Sequence, residues 1–155
     1  MFKKLKMLCG TTVLAALPLA LVGVSTTAQA EAQQTQAEQQ KVKVVYHIND
    51  SEEQALGALR NMRNHLNVAP DTLIKVVAHA DGIDFLTNDY EENDTVGPLV
   101  ADLTTRGVDF EVCEITMDRL GLGQEDFLLE AKFTPSGVAR IAELQALDGY
   151  AYIKP

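Results

Sequence analysis

The chain has 155 residues, of which 46% are hydrophobic, and its formal net charge is −9. This length and apolar content suit one domain with a real core. The excess of acidic residues excludes nucleic acid and anionic membrane surfaces as partners, because binding to such surfaces needs clustered Lys and Arg side chains.

Residues 1–30 have the pattern of a secretory signal peptide. Three lysines precede an apolar run from Val13 to Val24, and residues 28–30 form a small-residue cleavage site of the A-x-A type. We therefore expect a mature protein that begins at Glu31 and is periplasmic, soluble and free of the membrane after cleavage. Residues 31–40 are rich in Gln and lack large apolar side chains, so we expect a disordered spacer there.

The domain predicted for residues 41–155 begins with a strand, a helix and a second strand. The β-rich segment 42–48 predicts the first strand. Ser51 and Gln54 form a capping box, which predicts that Ser51 is the N-cap of a helix. Residues 73–78 predict the second strand.

The rest of the chain continues this alternation of helix and strand. Apolar residues at helical spacing and β-rich runs define its elements. First come a helix, a strand over 108–112, a short helix from Thr116 and a strand over 131–133; the apolar side of the first of these helices is Val96, Leu99, Val100 and Leu103. A further helix follows, with Thr134 as its cap and Pro135 as its first residue, and its apolar side is Val138, Ile141, Ala142, Leu144 and Leu147. The last predicted element is a strand over 150–153.

Helices between successive strands imply crossover connections and a mainly parallel sheet. The predicted fold class is therefore α/β, a three-layer α/β/α sandwich. In such folds ligands bind outside the carboxyl ends of the strands, so candidate functional residues are sought there.

Cys113 is the only cysteine that would remain after cleavage, because Cys9 lies in the leader. It shares its strand phase with Asp109 and Glu111 rather than with the intervening apolar residues. A helix N-terminus close behind it would favour the thiolate. We predict a reactive, solvent-reachable thiol; the alternative is an inert buried residue.

The three histidines have different predicted roles. His79 follows the second strand and could take a proton from a thiol or a thiol-bound sulfur species, or it could simply order its loop through a hydrogen bond. His47 lies within the first strand and would pack or pair there. His65 lies late in the first helix, where a positive charge suits the helix dipole, and is predicted to be structural.

Other polar residues follow the strands at the same predicted edge. We predict that they line one pocket with the catalytic candidates Cys113 and His79. These predicted ligand-binding residues are Asn49, Asp81, Gly82, Thr116 and Ser136.

The sequence gives no support for a metal or another cofactor. His47, His79 and Cys113 lack close metal-ligand spacing, and the acidic stretch 89–94 lacks the glycine of an EF-hand loop. P-loop, Rossmann, G-x-S-x-G and C-x-x-C motifs do not occur. We expect no cofactor.

Four segments, 44–50, 78–86, 106–113 and 135–155, together resemble the DsrE/DsrF-like family, and most closely its exported branch. The resemblance implies a five-stranded parallel sheet between helices and assembly into trimers or hexamers. It also implies that Cys113 matches the position at which sulfur-relay members carry persulfide sulfur, with His79 in the matching place after the second strand.

Three hypotheses for the function follow. The first is a carrier that holds sulfane sulfur on Cys113 as a persulfide, with a sulfur donor or acceptor protein, or a small sulfur compound, as partner. Such a protein is a sulfur carrier or transferase rather than a hydrolase or oxidoreductase. The second is a non-catalytic module whose pocket binds a small ligand and is merely lined by Cys113. The third is an assembly module, whose homo-oligomer could use Tyr150 and Tyr152 as contacts.

Overall fold

The computed structural model describes residues 41–155. The predicted leader and spacer therefore lie outside the described residues. Within residues 41–155 none of the helices is both long and apolar enough to span a bilayer. The elements are β1 (Lys43–Asp50), α1 (Ser51–Val68), β2 (Leu73–Asp81), α2 (Asn93–Thr105), β3 (Asp109–Cys113), α3 (Glu114–Leu120), β4 (Ala131–Thr134), α4 (Gly137–Ala146) and β5 (Ala151–Ile153), with short 3-10 turns at Asp84–Leu86 and Gln124–Asp126.

The five strands form one parallel sheet in the order β4-β3-β2-β1-β5. Because all the strands run the same way, their carboxyl ends meet at one edge, and helices must cover both faces. The predicted three-layer α/β/α sandwich with a five-stranded parallel sheet is confirmed.

One face of the sheet packs on α1 and α2 through large apolar side chains. Leu59 and Met62 of α1 and Leu103 of α2 are fully buried there. We call this side the apolar face. Its buried strand residues are Val44, Tyr46, Ile48, Ile74, Val76, Ala78, Phe110 and Val112.

The opposite face lies under α4, and we call it the α4 face. Its apolar cluster is small, with Val45 and Val77 from the sheet and Ile141 and Leu144 from α4. The face also carries charged side chains, among them Glu111, which is only 6% exposed. Two different kinds of packing therefore hold the two faces.

Ion pairs stabilise the charged part of the α4 face. The Glu111 carboxylate accepts hydrogen bonds from Lys75 Nζ at 3.0 Å and from Arg140 Nε at 2.7 Å. Lys75 Nζ also donates to Asp109 at 2.7 Å, and Lys132 pairs with the other oxygen of Asp109. Burial alone would raise the pKa of Glu111, but the hydrogen bonds from Arg140 and Lys75 hold it below its ordinary value.

This arrangement corrects the expected exposure of Cys113. The strand phase it shares with Asp109 and Glu111 was predicted correctly, but that face is covered by α4 rather than open to solvent. Cys113 is consequently only 5% exposed, so the expectation of a solvent-reachable thiol is wrong for the single described chain.

The predicted N-cap of α1 is displaced by one residue. Asp50, in extended conformation, is the N-cap, and its carboxylate accepts a hydrogen bond from the Glu53 N–H at 3.0 Å. Ser51 lies inside the helix and is buried, where its hydroxyl donates to the Asp81 carbonyl at 2.8 Å. Asp50 rather than Ser51 is the N-cap because its side chain reaches the free N–H groups of the first turn and its negative charge suits the helix dipole.

The last two helices also begin differently from the prediction. Thr134 pairs with Cys113 as the end of β4, so Ser136 caps α4 and Gly137 is its first residue. The short helix α3 begins at Glu114, directly after β3, rather than at Thr116. Two apolar residues predicted for the last helix do not contribute to the core of the single chain: Val138 of α4 is 65% exposed, and Leu147, the C-cap after α4, is 80% exposed.

Strands β1 and β2 are longer than predicted and end in an irregularity. The register between them shifts after Ile48, and Ala80 of β2 has a left-handed φ of 52°. His79 therefore lies within β2 and Asn49 within β1, rather than in the loops that follow.

Candidate functional site

Cys113 lies where β3 ends and α3 begins. It occupies the N-cap position of α3 in an extended conformation, with φ −75° and ψ 113°. At this position the residue lies next to the free N–H groups of the first helical turn. The first turn of α4 packs closely against Cys113 through Gly137.

Backbone N–H groups stabilise the thiolate of Cys113. Burial alone would raise the pKa of the thiol, but hydrogen bonds from the N–H groups of Gly137, Thr116 and Ile115 outweigh burial. The pKa of Cys113 therefore lies below its ordinary value, which favours the nucleophilic form.

The Thr116 hydroxyl adds a further donor to this thiolate. Thr116 is itself buried, and its Oγ1 accepts a hydrogen bond from the Ala80 N–H at 3.1 Å. This hydrogen bond occupies a lone pair of Oγ1, so the hydroxyl hydrogen is free to donate to Cys113. Thr116 was predicted to line the site, and its contacts place it beside Cys113.

Gly137 allows α4 to approach both catalytic candidates. A β-carbon at this position would lie 3.1 Å from His79 Cβ and 3.3 Å from Cys113 Cβ. Any side chain would thus push the helix away from the thiol. The same contacts bring His79 and Cys113 close to one glycine, while their catalytic roles stay predictions.

His79 forms a line of hydrogen bonds with two residues that sequence reasoning did not assign to the site. His47 Nε2 lies 2.6 Å from His79 Nε2, and His47 Nδ1 lies 2.7 Å from the Tyr152 hydroxyl. The line runs across three strands, β2, β1 and β5, from beside Cys113 to a tyrosine that is 42% exposed. We call Tyr152, His47 and His79 the histidine line.

Both histidines of the line are neutral at neutral pH. Burial and, after it, repulsion of the protonated form by a protonated His79 and by Lys154 lower the pKa of His47 to about 4. Burial, followed by Lys154, also lowers the pKa of His79. The lowered pKa of Cys113 therefore comes from neutral donors and not from an imidazolium partner.

Lys154 lies at the outer end of this arrangement. Its Nζ contacts the Asn49 side-chain oxygen and lies 3.1 Å from Gln54 Oε1. Gln54 in turn accepts a hydrogen bond from the Asn49 N–H at 3.0 Å. The predicted site residue Asn49 is thus joined to the site through Lys154, whose charge reaches both histidines.

The remaining predicted residues have mainly structural contacts. Ser136 caps α4 through the Ala139 N–H and so fixes the turn that holds Gly137 over Cys113. A β-carbon on Gly82 would collide with the carbonyl oxygen of Ile48, so Gly82 is needed for close packing against the backbone of β1. The ligand-binding roles of Ser136 and Gly82 stay predictions.

Asp81 belongs to a second group of polar residues at the same edge. Its carbonyl accepts the Ser51 hydroxyl, and the residue lines a cleft of about 520 Å³. Most of the residues around this cleft are carboxylates: Asp50, Glu52, Asp81, Asp84, Asp89 and Glu91. The sequence prediction did not separate this acidic cleft from the surroundings of Cys113.

The residues missed from the sequence are His47, Tyr152 and Lys154. His47 has the same strand phase as Val45, which packs on α4, and this phase could have assigned it to the same face as Cys113. Tyr152 and Lys154 could not be assigned to the site without knowing that β5 pairs with β1.

The arrangement as a whole provides a stabilised thiolate beside a neutral pair of imidazoles. Such a thiolate can attack a sulfur atom, and a neutral imidazole can accept a proton. Among residues 41–155 no group of three or more His, Cys, Asp or Glu side chains is arranged to hold a metal ion.

Comparison with known proteins gives a family and several similar solved structures. Residues 43–155 match the DsrE/DsrF-like family. A solved structure of a protein of unknown function from Methanobacterium thermoautotrophicum is 33% identical, with a TM-score of 0.67. The match covers 74% of this chain and 100% of that protein. No curated protein matches the chain.

Proposed function

Because the chain belongs to the DsrE/DsrF-like family, we propose that it handles sulfur, with Cys113 carrying sulfane sulfur as a persulfide. The observation that carries this proposal is the position of Cys113 at the N-cap of α3, in close contact with the first turn of α4. Hydrogen bonds from Gly137, Thr116 and Ile115 lower the pKa of Cys113 despite its burial. A carrier needs this property twice, because the thiolate is the nucleophile during loading and the leaving group during unloading.

Loading would proceed by sulfur transfer without any external oxidant. The Cys113 thiolate attacks the outer sulfur of a donor R–S–SH, a new S–S bond forms at Sγ, and the donor S–S bond breaks. The donor leaves as the thiolate R–S⁻, so electrons balance within the exchange. The burial of Cys113, which is 5% exposed, would shelter the persulfide from solvent thiols.

Intact-mass analysis tests the proposal directly. The folded protein is exposed to polysulfide or to thiosulfate, and we expect one added sulfur per chain, removed again by a reducing thiol. Cys113→Ser should gain no sulfur while keeping its fold, because the change is small and lies at a strand end. A wild-type protein that labels with a thiol reagent but never gains sulfur would end the carrier proposal.

The source of the low thiol pKa can be tested separately. Thr116→Val removes the hydroxyl donor, so we expect the pKa of Cys113 to rise, as measured by the pH dependence of alkylation. Thr104→Val is the matched control, because Thr104 Oγ1 is buried and has no hydrogen-bond partner among the described residues. An equal change in both variants would contradict the proposed role of Thr116.

The burial of Cys113 also favours a second candidate, a module that binds a small ligand without covalent chemistry. In that case native protein would resist alkylation until it is denatured. Loss of ligand binding in His79→Gln or Asn49→Ala, but not in Cys113→Ser, would support this module over the carrier.

We further propose that the protein self-associates, as a trimer or hexamer. Ile115 and Val138, which flank Cys113 in the first turns of α3 and α4, are 61% and 65% exposed, although both are apolar. A monomeric mass by light scattering at micromolar concentration would refute self-association.

Periplasmic export is likewise a proposal, supported by the leader pattern of residues 1–30. N-terminal sequencing of protein from the periplasmic fraction should begin at Glu31. Protein that keeps Met1 in a soluble cytoplasmic pool would refute export.

A further inference from the structure

The histidine line joins the sulfur site to the surface. His79 lies against Gly137, which also contacts Cys113, while Tyr152 at the other end is 42% exposed. The contacts between them are short, at 2.6 Å between the two Nε2 atoms and 2.7 Å between His47 Nδ1 and the tyrosine hydroxyl. Each link can conduct a proton, because imidazole carries one proton and has one free nitrogen when neutral.

We propose that the histidine line conducts the proton of an acceptor thiol to solvent, so that this protein passes its sulfur to a thiol. The inference rests on the proposed function, because it concerns the unloading of Cys113. His79 would be the group that meets the acceptor, at Nδ1, the nitrogen that does not face His47. His47 and Tyr152 act through His79 and do not touch the sulfur compound.

Protons and electrons balance over one cycle of loading and unloading. In unloading, the acceptor R′–SH gives its proton to His79 Nδ1, and His79 gives its Nε2 proton to His47 Nε2. His47 then gives its Nδ1 proton to the Tyr152 hydroxyl, and Tyr152 releases a proton to solvent. The acceptor thiolate attacks the outer sulfur of Cys113–S–SH, R′–S–SH forms, and Cys113 leaves as the thiolate. In the next loading, the departing R–S⁻ takes the His79 Nδ1 proton, and the line returns to its first state.

The neutrality of the two imidazoles suits conduction. A pair with a high pKa would hold the proton and become an imidazolium, whereas burial keeps this pair neutral. The Cys113 thiolate needs no imidazolium, because backbone N–H groups stabilise it. The two tasks, holding negative charge and moving a proton, are thus assigned to different groups.

The test compares two acceptors that differ in the need to lose a proton. The persulfide of the full mature protein is loaded from polysulfide and then unloaded to 2-mercaptoethanol or to sulfite, which accepts sulfur at alkaline pH without losing a proton. We expect Tyr152→Phe and His47→Gln to lower the ratio of the thiol rate to the sulfite rate about tenfold, since positioned acid–base groups contribute on the order of 10²–10⁴ and solvent replaces part of the path.

The matched control is Tyr150→Phe, which removes a hydroxyl two residues away that is not part of the line. This variant should keep the wild-type ratio. Added imidazole should restore the thiol rate in His47→Ala, which a purely structural defect would not allow. An unchanged ratio in both Tyr152→Phe and His47→Gln, with normal loading, would overturn this inference alone. Failure of the wild-type protein to load at all would overturn the proposed function and the inference with it.

Discussion

The two faces of the sheet are stabilised by different interactions. On the apolar face, large side chains such as Phe110 and Ile48 are completely buried against α1 and α2. On the α4 face, a small apolar cluster shares its space with the ion pairs of Glu111 and, beyond them, with Cys113 and the histidine line. One face thus supplies most of the hydrophobic stabilisation, while the other holds the polar groups that chemistry needs.

The largest effect should come from matched leucine deletions on the two faces. Leu59 on the apolar face and Leu144 on the α4 face are both fully buried. We expect Leu59→Ala to cost about 4 kcal/mol and Leu144→Ala about 2 kcal/mol in the free energy of unfolding, because the thinner α4 layer can collapse around the cavity. Denaturant titration of both variants gives the comparison, and equal costs would show that the two faces pack alike.

The next effect should come from the ion pairs of the α4 face. Glu111→Gln leaves Arg140 and Lys75 without their shared carboxylate, and we expect a loss of about 2 kcal/mol in the free energy of unfolding. Glu143→Gln is the control, because this exposed carboxylate lies 3.6 Å from the same arginine. Its loss should cost about 0.5 kcal/mol or less. A neutral Glu111→Gln would mean that the buried ion pairs do not stabilise this face.

The pH dependence of stability should report the α4 face in two adjoining ranges. The pKa of His47 is lowered from 6.5 to about 4, so the unfolded chain binds its proton first and stability falls as the pH drops through that range. The expected loss is on the order of 1 kcal/mol once solvent screening is allowed for. His47→Gln should flatten this slope in urea titrations at several pH values.

The carboxylates act at the low end of that range and below it. Because the pKa of Glu111 and that of Asp109 are held below their ordinary values, their contribution is present above those values and is lost as the pH falls through the lowered ones. Glu111→Gln should flatten this acidic slope and leave the His47 range as in the wild type. A single slope that neither variant changes would place the titrating groups elsewhere.

The smallest effect concerns the irregular end of β2. Ala80→Gly relieves a left-handed alanine but adds chain entropy to the unfolded state, so we expect a gain of less than about 1 kcal/mol. Ala78→Gly, two residues earlier in the regular and buried part of the strand, should instead destabilise by about 1 kcal/mol or more. Thermal unfolding distinguishes the signs, and destabilisation by both glycines would refute strain at Ala80.

The sequence was sufficient for the architecture and for the phase of Cys113. Alternating strands and helices specify a parallel sheet, and the order Asp109, Glu111, Cys113 identifies one face of β3. Exposure could not be predicted from this phase, because a polar face can be satisfied by ion pairs under a helix as well as by water. Arg140, which pairs with Glu111, lies 29 residues further along the chain.

The histidine line shows the same limit at longer range. Tyr152 and His47 are 105 residues apart and meet only because β5 pairs with β1. Local patterns predict elements, whereas this contact depends on strand order across the sheet. The predicted N-caps of two helices were wrong for a more local reason. Asp50 competes with Ser51, and Ser136 with Thr134, for the same free N–H groups.

The short strand β5 gives the site an uneven local stability. It has three residues, lies at an edge of the sheet and pairs with β1 alone. Its detachment should therefore have one of the lowest free energies of local opening in the sheet. Such an opening would separate Tyr152 and Lys154 from their partners, while the amide donors around Cys113 remain in place. We therefore expect the amide hydrogens of β5 to exchange with solvent well before those of β3. The end of the site at Tyr152 would then open locally while the surroundings of Cys113 stay folded.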